Sequence, residues 1–349
     1  MLACALVPAL LSVAPAAAQA PPTAERVAIL TGPLSADHTD LRYQVKGTDL
    51  GILWADDRGE VRAAFGDTFG LGWTGPGSRA IPVLDLWRSN TLAFSTDRNL
   101  ADGMRLDRFA TGPLLLQARE IVPSKKAGEE LTTIPTGGVH VAGRDYLAYM
   151  SVRHFAPEGG RWITNHAGVA YSDDGGQTWT EDLAARRVNT PDGNDPFQVN
   201  AFARRDGFVY VIGTPHGRFG DARLARVPER AVLDLAAYRY WTGSGWVPGA
   251  HRAAPVVSGP VGELSVHYDE GLGRWLMMYL DESRHEIVLR TASALTGPWS
   301  PEQAVASTAQ YPKLYGPFLH PLSSGPDVYF TMSEYDPYHV SLMRVRLGG

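Results

Sequence analysis

Two aspartates in the first quarter of the chain are placed for acid–base chemistry. Asp49 stands in Thr48-Asp49-Leu50-Gly51, and Asp67 in Phe65-Gly66-Asp67-Thr68-Phe69-Gly70. Each borders an apolar run that reads as a β-strand, and the turn Asp56-Asp57-Arg58-Gly59 joins the two runs. Asp49 opens one strand of this hairpin and Asp67 ends the next, so both lie at the same end. Two carboxylates at one mouth repel each other and push one pKa up. An acid and a base separated in this way are what glycoside cleavage requires. Asp49 is taken as base or nucleophile and Asp67 as acid. The carboxylate separation would set the stereochemistry, about 5–5.5 Å for retention and about 6.5–9.5 Å for inversion. A third acid, Glu263, follows Pro260-Val261-Gly262. It could be the acid, a clamp for a hydroxyl, or the partner of a buried arginine.

Sugar recognition needs flat apolar faces and directional polar groups. Trp87-Arg88-Ser89-Asn90 offers both within one turn. Arg88 could brace a carboxylate through paired hydrogen bonds or lock the strands around it. His154, Asn200 and His320 open or end strands at positions that could face a substrate. Trp162, Trp241 and Trp246 read as packing residues. The ten histidines form no HExxH pattern or close ligand pair, so no catalytic zinc site is expected. No cofactor motif is present either: there is no P-loop, dinucleotide fingerprint or G-x-S-x-G elbow. A single structural cation in a central channel stays compatible with the sequence.

The elements that must hold these residues recur. Five groups share one order: a strand, an Asp/Gly turn, an aromatic-rich strand, then an outer strand. They begin at Thr48, Gly137, Gln198, Glu263 and Tyr315, and their second strands include YLAYMSV, FVYVIGT, WLMMYLD and VYFTMSE. Tyr238–Thr242 adds a possible fourth strand to group three. Such recurrence over about 300 residues predicts an all-β, five-bladed β-propeller. The N-terminal run Glu25–Leu30 is expected to complete the last blade and close the ring. Ser172-Asp173-Asp174-Gly175-Gly176-Gln177-Thr178-Trp179 is one Asp-box hairpin of the S-x-D-x-G-x-T-W form. It reads as a structural turn, with Asp accepting backbone N–H bonds and Gly taking positive φ. Ser95-Thr96-Asp97 and Ser293–Trp299 look like eroded copies.

Composition narrows the class. The chain has 349 residues, 44% hydrophobic, with a net charge of −5. That length can bury a sizeable core without staples, and the charge gives no footprint for nucleic acid. One cysteine, Cys4, excludes a disulfide scaffold. Residues 1–20 carry no charge and end in Ala18-Gln19-Ala20, the small-x-small pattern of a cleaved signal peptide. The apolar run is broken by Pro8 and Pro15, so no membrane span is expected. The expected organisation is a signal peptide at 1–20 and one propeller domain at 21–349, secreted, periplasmic or held in the cell envelope.

The ordered segments GTDLGILW, FGDTFG, WRSNTLAFSTDR, IPTGGVHV, GVAYSDDGGQTW, GELSVHYD and YGPFLHP together resemble the domain-of-unknown-function family numbered 4185, classed with glycoside hydrolase family 183. The resemblance covers roughly residues 25–347. It implies an endo-acting D-arabinofuranase whose polysaccharide substrate is the D-arabinan of arabinogalactan and lipoarabinomannan. It also implies that Asp49 in GTDLG and Asp67 in FGDTF are the catalytic pair. Other five-bladed furanosidases place acids at the starts of blades one, two and three, whereas this chain has Thr136 and Asn200 at the corresponding later starts. A non-catalytic carbohydrate-binding propeller and an envelope scaffold are the rival readings.

Overall fold

The apolar and alternating runs form strands, and the strands form five antiparallel sheets. The computed structural model describes residues 23–75, 86–112, 117–125 and 128–348; the signal-peptide expectation lies outside them. Blade one is Leu50–Ala55, Val61–Phe65, Thr91–Ser95 and Arg108–Phe109. Blade two begins with Thr132–Val141, Arg144–Phe155 and Trp162–Ser172, and two short strands pair with the last of these. Blade three is built on Val199–Arg205, Phe208–Thr214 and Ala222–Pro228, with Arg239–Trp241 as the expected outer strand. Blade four runs Leu264–Asp269, Arg274–Asp281, Glu286–Ala292 and Gln303–Ser307. Blade five is Leu314–Leu319, Asp327–Glu334 and His339–Arg346.

Glu25–Ile29 pairs antiparallel with His339–Arg346 and supplies the outer strand of blade five. The first and last strands of the described chain therefore share one sheet and close the ring. The innermost strands touch in the order one, two, three, four, five, one. The protein is an all-β, five-bladed β-propeller. Among the described residues no helix is long and apolar enough to cross a membrane.

Each blade is covered on both faces by its neighbours, which explains its composition. A strand buried on both faces reads as a continuous apolar run rather than an alternating one. Trp275 to Asp281 are all buried, and Met277, Met278 and Tyr279 are fully so. Blade two departs from expectation at its start. Its first strand begins at Thr132, five residues before the expected Gly137. A bulge between Pro135 and Gly137 interrupts the register there, and Pro with Gly hides such a strand from pattern reading.

The Asp-box is a turn that locks blade two onto blade one. Asp174 accepts from the Thr178 backbone N–H (2.8 Å) and hydroxyl (2.6 Å). Ser172 Oγ accepts from Gly176 N–H at 2.8 Å. Gly175 and Gly176 take φ values of 71° and 87°, which a side chain would strain. A Cβ on Gly176 would fall 2.9 Å from Leu92 of blade one. The Trp179 ring meets Trp54 of blade one edge-on at 6.4 Å. Ser95-Thr96-Asp97 and Ser293–Trp299 likewise follow the third strands of blades one and four.

Candidate active site

Asp49 owes its position to a distorted strand start anchored on blade five. Its two chain neighbours are both tied there: Thr48 N–H donates to the Tyr338 carbonyl (2.9 Å) and Leu50 N–H to Ser333 Oγ (2.8 Å). Leu50 sits at φ 69° and Gly51 at φ 83°. The register against Val61–Phe65 slips between Leu50 and Ile52. A bulge of this kind re-aims the residue beside it, and positive φ at a leucine is strain of the sort that collects at functional sites. The innermost strands of blades two and five slip near their starts as well.

Gly66 makes room for the carboxylate. A Cβ there would lie 2.3 Å from Asp49 Oδ1, closer than any real contact allows. Asp67 follows directly and is the neighbour expected from the hairpin. Its Oδ1 accepts from Trp87 Nε1 (3.0 Å) and from the Thr132 hydroxyl of blade two (2.8 Å). The Asp67 charge raises the pKa of Asp49.

Asp49, Asp67 and Glu263 line one cleft of about 1140 Å³ over the strand starts. Asp49 is pushed up to about 7, first by burial, then by the Asp67 charge and more weakly by Glu263. The Tyr315 and Tyr338 hydroxyls act in the opposite direction, and Tyr315 donates to Asp49 Oδ2 at 2.8 Å. Glu263 is gripped by Arg218, whose Nε and Nη2 both donate to its Oε1 (3.0 and 2.8 Å). Arg218 Nη1 also reaches Glu282 (3.1 Å), and its guanidinium lies 5.2 Å from the centre of the Tyr315 ring. Arg218 therefore links Glu263 to the tyrosine that holds Asp49. Asp49 Oδ1 and Glu263 Oε2 are buried without a hydrogen-bond partner. An unsatisfied buried polar atom is costly, and a ligand carrying hydroxyls, which both donate and accept, satisfies either kind.

The other expected site residues separate into wall, staple and surface. Trp87 acts on Asp67 rather than on open solvent. Arg88 is buried and donates to the carbonyls of Gln44 (2.6 Å) and Ala118 (3.2 Å); it locks the strands that flank Asp67. Asn90 is fully buried and saturated. Its amide donates to the carbonyls of Val122 and Thr133, and its oxygen accepts from Ile121 and Val122 N–H. It staples a loop and does not line the cleft. Asn200 donates to the Phe197 carbonyl (2.9 Å) and lies outside the cleft. His320 follows the far end of the first strand of blade five, fully buried, where burial pulls it down to about 3. His154 is exposed, and its neighbour Phe155 is the one that lines the cleft. Tyr315, which the sequence marked only as a strand start, is a functional candidate, and so is Arg218, which lies between the second and third strands of blade three. Tyr338, at the turn following Asp336-Pro337, carried no signal. Among the described residues no three His, Cys, Asp or Glu side chains converge as a metal site would need.

Comparison with known proteins gives the lineage. Two curated fungal proteins align over most of the chain. "Notoamide biosynthesis cluster protein J'" of Aspergillus versicolor is 32% identical, covering 81% of this chain and 79% of its own. "Notoamide biosynthesis cluster protein J" of Aspergillus sp. (strain MF297-2) is 30% identical, covering 84% and 81%. Similar solved structures include a family 117 glycoside hydrolase produced by Zobellia galactanivorans, with TM-score 0.54, 12% identity and coverage of 94% and 91%. The α-L-arabinofuranosidase of Podospora anserina, solved with cellotriose, has TM-score 0.51, 11% identity and coverage of 93% and 96%. At such identities the likeness is one of fold, and these propeller neighbours are glycoside hydrolases. The model of the domain of unknown function DUF4185 matches residues 34–344, so the chain belongs to that family.

Proposed function

We propose that the protein is a glycoside hydrolase that cleaves internal α-D-arabinofuranosyl linkages of cell-wall D-arabinan. The observation that carries a glycosidase reading is that Asp49, Asp67 and Glu263 line one open cleft, the first of them poised near neutrality. The glycoside hydrolase propellers among the structural neighbours support it. The choice of D-arabinan rests on the resemblance of the sequence segments to glycoside hydrolase family 183. Export of the protein belongs to the same reading, since its substrate would lie in the cell wall.

The electrostatics favour a role order opposite to the one expected from sequence. A carboxyl pushed up to about 7 holds its proton at the pH where an ordinary carboxylate has lost it. Asp49 is thus the better general acid, donating to the leaving oxygen. Asp67, accepting from Trp87 and Thr132, takes the partner role and activates water or attacks the anomeric carbon. Glu263, fixed by Arg218, presents Oε2 to a sugar hydroxyl and adds negative charge near the oxocarbenium-like transition state. Purified protein incubated with cell-wall arabinogalactan should release a ladder of arabino-oligosaccharides, and Asp49→Asn and Asp67→Asn should not. Retention on the polysaccharide without products would leave a carbohydrate-binding propeller instead.

A further inference from the structure

Two aromatic rings stand exposed on the rim of the cleft. Phe155 is 44% exposed and Tyr335 is 47% exposed, and both line it. A single exposed ring is ordinary; what matters is where these two sit. Phe155 ends the second strand of blade two, and Tyr335 follows the second strand of blade five. Blade one, which carries Asp49 and Asp67, lies between those two blades in the ring. The acids are therefore flanked by one aromatic face on either side.

Both rings are held by backbone rather than left on free loops. Phe155 pairs with Trp162 across the blade-two hairpin, and Ala156 N–H closes that hairpin on the Arg161 carbonyl (3.0 Å). The same hairpin is tied to blade three through Arg218 N–H and the Gly160 carbonyl (3.0 Å). Tyr335 N–H donates to the Lys313 carbonyl (3.2 Å), and its ring meets Tyr338 edge-on at 6.2 Å. Lys313 lies over one face of the Tyr335 ring, 5.5 Å from its centre, and is paired with Asp336. The charge beside the platform is thus balanced, which suits a neutral ligand. The cleft volume of about 1140 Å³ exceeds the roughly 300–1,000 Å³ of small-molecule pockets.

We infer that Phe155 and Tyr335 are stacking platforms of two sugar subsites on opposite sides of the cleaved bond, so that the cleft grips an internal stretch of a neutral polysaccharide. This rests on the glycosidase reading and assigns the substrate's path across it. Fixed rings stack on the C–H face of a sugar at low entropic cost.

The test uses the full chain as wild type, Phe155→Ala and Tyr335→Ala. Hydrolysis of D-arabino-oligosaccharides of increasing length is followed, together with retardation in gels containing arabinogalactan. Each variant should lose about tenfold in kcat/KM on long chains. Each should lose little on the shortest cleaved substrate, and the two should shift product lengths in opposite directions. Equal loss at every length, or unchanged profiles in an active enzyme, overturns the subsites and leaves the glycosidase intact. A wild type that is retarded but cleaves none of these substrates defeats the D-arabinan hydrolase reading and, with it, the placement of the rings about a cleaved bond. The two rings then remain sugar platforms only if either substitution weakens gel retardation. A wild type that neither cleaves nor is retarded overturns both.

Discussion

Replacing Asp49 by asparagine should make the fold more stable at alkaline pH while abolishing activity. The folded carboxyl sits at about 7, against an ordinary value of 3.8. The folded state therefore binds the proton more tightly than the unfolded chain. The sign follows from linkage: the group's relative contribution is fully favourable below pH 3.8 and is lost as pH rises through 7. A displacement of about 3 pH units corresponds to about 4 kcal/mol of cost above pH 7. Asp49 opens onto the cleft, so solvent relieves part of this, and about 1–3 kcal/mol is the expected gain for Asp49→Asn at pH 8. Near pH 4 the gain should nearly vanish, because the native carboxyl is then neutral. Asparagine can still accept from Tyr315, so that bond need not be lost. Urea unfolding of both proteins at pH 4 and pH 8 measures the difference, and constant m-values would show that the denatured state is comparable. A variant equally stabilised at both pH values, or destabilised at pH 8, would refute the claim that burial and Asp67 hold this carboxyl in an unfavourable charge state.

Three further outcomes are expected. Gly66→Ala places a methyl carbon where Asp49 Oδ1 lies, 2.3 Å away; hydrolysis should fall by at least tenfold while circular dichroism stays native, and full activity would show that the carboxylate can stand elsewhere. Arg218→Lys keeps the charge but loses the two-pronged grip on Glu263 and the bond to Glu282. Its kcat should drop about 10- to 100-fold and its pH–rate profile should move, because Arg218 also lies over Tyr315; a change confined to thermal stability would reduce Arg218 to a structural tie. Asp174→Ala breaks the Asp-box turn and should cost about 1–2 kcal/mol in denaturant unfolding with kcat unchanged, whereas a selective loss of substrate binding would make the box a sugar contact.

The five-blade repeat was legible because each blade is packed on both sides, so its strands carry long apolar runs that survive in sequence as a recurring grammar. The closing strand Glu25–Ile29 is half exposed and opens on Glu25-Arg26, and it was legible only as a short strand with no hairpin partner nearby, which must pair at a distance. The Asp49–Asp67 neighbourhood followed from one hairpin, a local relation. The errors arose where side chains act across blades. Asn90 looked like a sugar ligand because polar residues beside Trp87 and Arg88 suggest recognition. In the fold its five bonds staple the Ile121–Val122 segment and Thr133. His320 looked like a channel residue because it was counted with Tyr315 among the polar residues that open the innermost strand of blade five, but that strand ends at Leu319, before His320 is reached.

Arg218 shows why the rest was hidden. Nothing local distinguishes it from the chain's other arginines. Its role comes from three distant contacts: Glu263 and Glu282 of blade four and the Tyr315 ring of blade five. Those contacts also explain why a chain with threonine at 136 and asparagine at 200 can still assemble an acidic site. The second acid stays on blade one, at Asp67, and the third is on blade four, at Glu263, where Arg218 from blade three can reach it. The three acids assigned to the reaction thus occupy blades one and four rather than one, two and three. A site built in this way depends on the ring being closed, because Asp49 is anchored through Thr48 and Leu50 to blade five. Loosening the Glu25–Ile29 closure would therefore disturb Asp49 before it disturbed Glu263.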